Sequence, residues 1–187
     1  MDEDGILRAA RATFVALGAS ATTRDVADAA GVSQALLFQR WQTKERLFFA
    51  AMLPRPPSLD LVFDRRDGEN GAQGRLVGVA SRLLAWLETS MPGALRAALH
   101  PSYPAAIAKA HAPEGAEALH QALTKVLRDL RSDGLLTGST DLQASAAALL
   151  DLLHGIALRR ALTGVSTLIE QEADRAVSAM LRGLEPT

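Results

Sequence analysis

The chain has 187 residues, of which 48% are hydrophobic and 22% charged, and its formal net charge is −1. This composition is typical of a folded globular protein and excludes a disordered chain, while the near-neutral charge excludes bulk electrostatic attraction to nucleic acid. The absence of cysteine excludes disulfides, thiolate nucleophiles and cysteine-ligated metal sites. Any contact with nucleic acid must therefore depend on where individual charges are placed.

The N-terminal sequence is acidic first and then amphipathic, whereas a secretory signal is basic first and then continuously apolar. No apolar run approaches the roughly 18 residues of a membrane-spanning helix. Together with the lack of cysteine, these features predict a cytoplasmic protein without a membrane segment.

The first two predicted helices lie within the first thirty residues. A second helix is expected to begin at Thr22, whose side chain can form a capping box with Asp25, and to end at Gly31. The helix before it is expected to end at Gly18. It is predicted from apolar residues at spacings of three and four, which share one helical face: Ile6, Leu7, Ala10, Phe14 and Leu17.

The third and fourth helices follow after short connections. Ser33 is the expected N-cap of a third helix that reaches about Trp41, and Thr43 is the expected N-cap of a fourth that reaches about Leu53. Residues 22–41 thus form two short helices joined by a tight turn, which is helix-turn-helix spacing. In such a unit the first helix braces the second, and the second projects into a major groove.

The rest of the chain predicts a second, larger helical domain. Prolines at 54, 56 and 57 should stop the fourth helix, and the polar, glycine-containing stretch after them predicts a loop. We therefore predict domains at residues 1–53 and 54–187, with a loop or linker at about 54–70. Apolar faces predict helices over 76–87, 119–130, 141–162 and 169–184. The proline-containing region 91–113 predicts short helices and turns, and without strand alternation the fold class is all-α.

Residues 6–52, from ILRAARATF to RLFFAAM, resemble the DNA-binding domain of the TetR family of transcriptional regulators without a gap. The resemblance depends on an ordered set of elements: an A–A–x–x–x–F segment and Gly18, then TTRDVADAAGVS, then an aromatic pair flanking the end of the third helix, then Lys44-Glu45 followed by Leu47. It implies an all-α subunit with a three-helix helix-turn-helix DNA-binding domain, followed by a larger helical ligand-binding and dimerisation domain. Residues 53–187 agree with the family only in helical layout.

The resemblance also implies which residues contact DNA. Thr22 matches the N-cap threonine of the second helix, Thr23 and Arg24 lie at positions that touch phosphate, and Lys44 matches a lysine that meets the DNA backbone. A lysine at a helix N-terminus suits phosphate because the lysine and the helix N-terminus both carry positive charge. The positions of the recognition helix are occupied by Ser33, Gln34, Ala35, Leu36, Phe38, Gln39 and Arg40.

The chemistry of these side chains is mixed. Glutamine can pair with adenine and arginine with guanine, although Gln34, Gln39 and Arg40 could also form an ordinary solvated helix face. The family usually has a tyrosine where Phe38 stands, and phenylalanine lacks the hydroxyl that bonds phosphate. Leu36 replaces a small or hydroxylated residue, so it either meets a thymine methyl group or packs inward.

A ligand site is expected between the helices of the larger domain, because such pockets are mostly apolar with a few polar groups. For each of its candidate residues the alternative is an ordinary place in the core. The four histidines lack metal-ligand spacing, and the sequence carries no cofactor motif. The candidate ligand-contacting residues are Leu83, Trp86, Leu87, His100, Tyr103, His120, Leu123 and Leu127.

We predict a homodimeric DNA-binding regulator, expected to be a repressor that a small, largely apolar molecule releases from a palindromic operator. One recognition helix reads few bases, so a two-fold dimer, formed through residues of about 141–163 and 168–183, would read a palindrome. The alternatives are an all-α small-molecule-binding protein or enzyme whose N-terminal helices are structural, or a relative that has lost DNA recognition. With no phosphate-binding loop, metal box or nucleophile motif, we expect no enzymatic activity.

Overall fold

The computed structural model describes residues 2–53, 57–63, 71–101, 105–136, 141–165 and 167–182, with the side chains of 105–116 left out. No strand occurs in these ranges, and the predicted all-α fold with an N-terminal helix-turn-helix is confirmed. The elements in chain order are α1 (Glu3–Leu17), a 3₁₀ turn (Gly18–Ser20), α2 (Thr23–Ala30), α3 (Gln34–Trp41), α4 (Lys44–Met52), α5 (Leu59–Val62), α6 (Gly71–Ala98), α7 (Ala105–Ser132), α8 (Leu142–Thr163) and α9 (Ile169–Arg182).

The chain divides into two compact units. The N-terminal unit consists of Met1–Arg55 and Pro92–Pro104, and the C-terminal unit of Pro56–Met91 and Ala105–Thr187. The first segment ends close to the predicted boundary after residue 53. Residues 92–104, which the sequence assigns to the larger domain, group instead with the N-terminal unit, so α6 contributes residues to both units.

Side-chain caps fix the ends of the short N-terminal helices. Thr22 Oγ1 accepts a hydrogen bond from the backbone N–H of Asp25 at 3.2 Å, and Asp25 Oδ2 accepts one from the backbone N–H of Thr22 at 2.7 Å. This is the predicted capping box. Ser33 and Thr43 cap α3 and α4, as the sequence predicts, by accepting hydrogen bonds from the N–H groups of Leu36 and Arg46.

The core of the N-terminal unit is built from the apolar faces of α1 to α4. Phe14 and Trp41 are 2% and 8% exposed, so both are core residues. The sequence also places Leu17 on an apolar face, but it is exposed. Leu17 is the last residue of α1, and the chain turns away at Gly18.

The described part of the segment 92–104, residues 92–101, packs against α1 and α4. The ring of His100 lies 4.8 Å from that of Phe48 and 5.5 Å from that of Phe49, measured between centroids. At Gly93 the backbone passes so close that an added Cβ would lie 2.6 Å from the carbonyl oxygen of Met52 and 2.8 Å from Nη2 of Arg11. The segment therefore completes the N-terminal unit, and it does so by close packing.

The C-terminal unit encloses a core made by α5 to α9. Asp141 caps α8 through hydrogen bonds from the N–H groups of Gln143 and Ala144. The core cluster includes large side chains that are less than 2% exposed, among them Leu76, Leu83, Leu84, Leu123, Leu127, Leu130, Leu149 and Leu153.

A charged network joins three helices of the C-terminal unit. The guanidinium of Arg160, buried on α8, donates to Glu88 Oε1 of α6 at 2.7 and 3.1 Å and to the carbonyl oxygen of Thr167 at 2.8 Å. The hydroxyl of Thr167 donates to Glu172 Oε1 of α9 at 2.6 Å, and Arg159 donates to the same oxygen at 3.0 Å. These bonds satisfy charges that would otherwise be costly to bury.

Two predictions about the connections are wrong. Residues 91–113 were expected to form short helices and turns, but α6 continues through Pro92 to Ala98, and α7 begins at Ala105 and runs through position 113. The expected loop at 54–70 contains the one-turn helix α5 among its described residues. Proline removes one N–H group and crowds one preceding carbonyl, and helix-forming neighbours and packing can outweigh that cost.

Candidate nucleic-acid interface

Helix α3 has one face buried in the N-terminal unit and one face open to solvent. Leu37 and Trp41 anchor the buried face. Leu36 is half-buried, so it does not protrude fully from the helix. Phe38 is 47% exposed, an unusual position for a large aromatic ring. The exposed face carries Gln34, Ala35, Phe38, Gln39 and Arg40.

The turn before α3 sets its angle to α2. Gly31 has a φ of +63°, in the left-handed region where side chains other than glycine are strained. Its N–H donates to the carbonyl of Asp28 at 3.2 Å, and the N–H of Val32 donates to the carbonyl of Ala27 at 3.0 Å. Ala27 and Ala30 are buried, and their small side chains let the helices pack closely. This geometry holds α2 as a brace behind α3.

Besides the caps Thr22 and Ser33 and the ion-paired Arg40, three polar side chains predicted to contact DNA have partners within the protein. Gln34 Nε2 donates to the hydroxyl oxygen of Thr23 at 2.6 Å, and this bond joins the start of α3 to the start of α2. Lys44 Nζ donates to the carbonyl oxygen of Ala19 at 3.1 Å, which places its charge beside the N-terminal end of α2. These bonds position the side chains of Gln34 and Lys44 while leaving both residues exposed.

Arg40 is held by an ion pair. Its Nη2 lies 2.7 Å from Oε2 of Glu3, in the first turn of α1, and its Cζ lies 5.9 Å from the ring centroid of Trp41. Both partners are partly exposed, at 48% for the Arg40 side chain and 38% for Glu3. The sequence does not reveal Glu3 as a part of this surface, because it lies 37 residues from Arg40 and no local pattern links them.

The charge of Asp25 is fixed by its place in the capping box. Hydrogen bonds from the Thr22 hydroxyl and then from the Thr22 backbone lower the pKa of Asp25, and the positive charge of Lys44 lowers it further. The carboxylate therefore stays ionised as the cap of α2.

The structure places all eleven predicted DNA-contacting residues in the N-terminal unit, on α2, α3, their caps and the start of α4. Thr22 and Ser33 use their side-chain oxygens as caps, so their contribution to binding DNA would come through the helix ends that they stabilise. Arg24 and Gln39 are exposed.

The predicted ligand-contacting residues do not form one group. His100 belongs to the N-terminal unit, where it packs on Phe48 and Phe49, and Tyr103 lies outside the described residues. His120 is half-buried, with Nε2 3.0 Å from the carbonyl oxygen of Gln143. The other five lie together in or against the packed core of the C-terminal unit: Leu83, Trp86, Leu87, Leu123 and Leu127.

A cleft of about 760 Å³ opens elsewhere in the C-terminal unit, between the first half of α6 and the start of α9. None of the seven predicted ligand-contacting residues that the structure describes lines it. The sequence signal that could have found it is the glycine pair at 74 and 78, one turn apart on a helix. Among the described side chains no cluster of three metal-ligating residues occurs, and no helix in those ranges is long and apolar enough to cross a membrane.

Comparison with solved structures confirms the fold. The chain is similar to PfmR, a TetR family transcriptional regulator from Thermus thermophilus, at 21% identity and a TM-score of 0.65 over 99% of this chain and 100% of that one. It is similar to the transcriptional regulator FadR from Bacillus subtilis, solved in complex with stearoyl-CoA, at 13% identity and a TM-score of 0.72 over 98% and 100%. NalD, the secondary repressor of the MexAB-OprM multidrug efflux pump in Pseudomonas aeruginosa, is similar at 17% identity and a TM-score of 0.66 over 97% and 95%.

No curated protein gives a significant match to the chain. Residues 6–51, however, match the family described as bacterial regulatory proteins, tetR family. The matched residues are those that build α1 to α4 and the exposed face of α3. The N-terminal domain is therefore similar to that of the TetR family, and the chain as a whole has the fold of the solved TetR family regulators.

Proposed function

We propose that the protein is a homodimeric repressor that binds a palindromic operator and that a small molecule releases from DNA. The observation that carries the proposal is the exposed face of α3, which α2 braces through the Gly31 turn. An exposed helix face with Gln, Arg and an apolar ring has the chemistry to read base edges in a major groove. A protein with this role works in the cytoplasm, with the bacterial chromosome.

Binding to phosphates is supported by the arrangement around the start of α2. Arg24 and Lys44 place two positive charges near a helix N-terminus, where backbone N–H groups already favour an anion. The Gln34–Thr23 bond joins α3 to the same helix end. A phosphate at this end would fix the register of α3, and the exposed side chains of α3 would then supply the sequence preference.

Dimer formation is supported by the exposed face of α8. One stripe along this helix, within about 120° of its circumference, consists mainly of apolar and small residues. Leu152, Leu158 and Leu162 are 43%, 38% and 70% exposed, and an added Cβ at Gly155 would meet nothing within 4 Å. A second copy of the chain would remove this apolar surface from water, and its two-fold symmetry would match a palindrome. The stripe consists of Ala144, Ala148, Asp151, Leu152, Gly155, Leu158, Arg159 and Leu162.

The dimer has a direct test by light scattering of size-separated protein. Replacing Leu158 by Arg would place a charge in the α8 stripe, and we expect the variant to run as a folded monomer. Leu61→Arg is the matched control, since Leu61 is 74% exposed and lies on α5 outside the stripe. A Leu158→Arg protein that remains dimeric would contradict the proposed interface.

Release by a small molecule requires that it bind the DNA-free state more tightly than the DNA-bound state. Such a role is supported by the kind of proteins that share the fold, since one is named as a repressor and another was solved with an acyl-CoA. In this chain the effector would act through the C-terminal unit. It would separate or tilt the two N-terminal units of the dimer, so that they could not bind both half-sites of the operator at once.

The DNA-binding role is tested by fluorescence anisotropy with a palindrome from the region upstream of the protein's own gene. We expect affinity to fall steeply with salt, and Arg24→Ala or Lys44→Ala to weaken binding and lower the salt slope by about one. Arg128→Ala is the control, because Arg128 is an exposed arginine on α7. Absence of salt-dependent binding to any such palindrome would refute the proposal and favour a relative that has lost DNA recognition.

A further inference from the structure

The cleft in the C-terminal unit is an open groove along one face of α6. Gly74 and Gly78 form its floor, one helical turn apart, so no side chain fills the space between α6 and α9 there. Val77 and Ile169 give it apolar walls. Its volume of about 760 Å³ lies within the range of roughly 300–1,000 Å³ of small-molecule sites.

A buried hydroxyl in this groove lacks a hydrogen bond. Ser81 Oγ is buried and has no partner among the described residues, although serine on a helix commonly bonds the carbonyl one turn earlier. Buried polar groups without a partner are rare in folded proteins and costly, because the hydroxyl loses water without gaining a bond. Ser81 lines the cleft, so a rotation of its hydroxyl toward the cleft would let a bound molecule supply the missing partner.

The charges of the cleft favour a cation. Glu170 and Asp174 lie one turn apart on α9, and Arg82 is the basic residue among the lining residues that the structure describes. Arg82 Nε donates to the carbonyl oxygen of Val62 at 2.9 Å, and Asp174 Oδ1 accepts from Gln73 Nε2 at 2.9 Å. The exposed carboxylate of Glu170 has no hydrogen bond or ion pair among the described residues. Two carboxylates against one engaged guanidinium leave the site net negative, so an anionic ligand is disfavoured.

We infer that this cleft binds a small amphiphilic amine. Its ammonium group would lie between Glu170 and Asp174, its apolar body on Val77 and Ile169 over the glycine floor, and a polar group would reach Ser81. This inference names the ligand class for the proposed ligand response and rests on that proposal for any effect on DNA binding. It replaces the largely apolar molecule expected from the sequence.

The carboxylates of the cleft are separate from the outer face of α9. Glu170 and Asp174 share one side of this helix, whereas the exposed residues Gln171, Arg175 and Ala179 lie on another. A ligand in the cleft and a second copy of the chain against the outer face could therefore contact α9 at the same time. The ligand would also contact α6, the helix that contributes residues to both units.

The experiment is isothermal titration calorimetry of the full chain with 4-phenylbutylamine, and with 4-phenylbutan-1-ol and 5-phenylpentanoate as neutral and anionic probes. We expect the amine to bind and the carboxylate not to bind. The double variant Glu170→Gln with Asp174→Asn should lower amine affinity about tenfold or more, since charge-assisted bonds are lost. Glu117→Gln, an exposed carboxylate on α7 outside the cleft, should leave it unchanged.

Two further variants separate the site from folding. Gly78→Leu introduces a better helix former that fills the cleft, so the helical circular dichroism should persist while amine binding is lost. Ser81→Ala removes a hydroxyl that has no partner, so the protein should be as stable as the wild type or more stable. Amine binding that survives both the double carboxylate variant and Gly78→Leu would overturn the inference, as would equal binding of all three probes or no binding of the amine.

The proposed function is measured separately by anisotropy with operator DNA. Salt-dependent DNA binding by a protein that does not bind the amine overturns the cleft assignment and leaves the repressor proposal standing. Amine binding by a protein that binds no palindrome leaves the cleft assignment standing and overturns the DNA-binding role. An amine that binds and lowers operator affinity in the wild type, but not in Gly78→Leu, supports both.

Discussion

Replacing Glu3 by Gln should strengthen binding to operator DNA. In the free protein the Glu3 carboxylate lies 2.7 Å from the guanidinium of Arg40, the basic residue on the exposed face of α3. A DNA phosphate or guanine must therefore compete with Glu3 for Arg40. Glutamine keeps the size of the side chain and removes the charge, so Arg40 becomes available at a smaller cost.

The size of the effect follows from the exposure of the pair. With side chains 48% and 38% exposed, solvent screens the interaction, and such pairs contribute about 0.2–1 kcal/mol. If that free energy is released to DNA binding, the upper half of the range lowers the dissociation constant about three- to fivefold. The gain should shrink at high salt, because the ion pair that competes with DNA is itself screened.

A double-mutant cycle by fluorescence anisotropy at low salt measures the coupling. Glu3→Gln should raise affinity in the wild type and have little effect in an Arg40→Ala background. Asp28→Asn provides the matched charge control, since Asp28 is an exposed carboxylate on α2. Equal gains in both backgrounds, or a gain from Asp28→Asn as large as that from Glu3→Gln, would show that net charge and not the pair is responsible. A loss of affinity would show that Glu3 orients Arg40 for DNA.

Three further predictions concern stability, each measured by chemical denaturation. Thr22→Ala should lower the free energy of unfolding by about 1 kcal/mol because the capping box is lost, whereas Thr89→Ala, an exposed threonine on α6, should have a smaller effect. Gly93→Ala should cost about 1–3 kcal/mol, since its Cβ would lie 2.6 Å from the carbonyl oxygen of Met52; an unchanged midpoint would contradict this close packing. The hydrogen bond from Thr167, and then the one from Arg159, lowers the pKa of Glu172 below its ordinary 4.5. The ionised carboxylate therefore stabilises the fold fully above about pH 4.5, and this stabilisation is lost as the pH falls through the pKa of Glu172 in the folded protein. The stability difference between wild type and Glu172→Gln should therefore narrow on acidification, and a difference that widens would refute the assignment.

The local features of the N-terminal unit could be predicted from the sequence because they depend on neighbours along the chain. Thr22, Ser33 and Thr43 act as caps where the pattern places them, and Gly31 adopts the left-handed conformation that ends α2. A cap is formed by a side chain and a backbone group three residues apart, so the sequence contains both partners within one turn.

Features that depend on contacts between distant segments could not be predicted. The pairing of Glu3 with Arg40 joins residues that no local pattern relates. The continuation of α6 through Pro92 is another such feature, because Gly93 and the buried Ala97 pack within the N-terminal unit and support the helix beyond the proline. Periodicity predicts which face of a helix is buried, but it does not predict which segment of the chain covers that face.

The packing of residues 92–101 on α1 and α4 bears on how this chain can be divided and recombined. A fragment that ends after residue 53 would leave Phe48 and Phe49 without the ring of His100 and would expose the backbone that Gly93 covers. A chimera that grafts only the first fifty residues onto another regulator would inherit a foreign residue at the position of Gly93. The part of the chain that has to be transferred is therefore discontinuous. An N-terminal domain transferred together with its own residues 92–104 should stay better folded than one transferred alone.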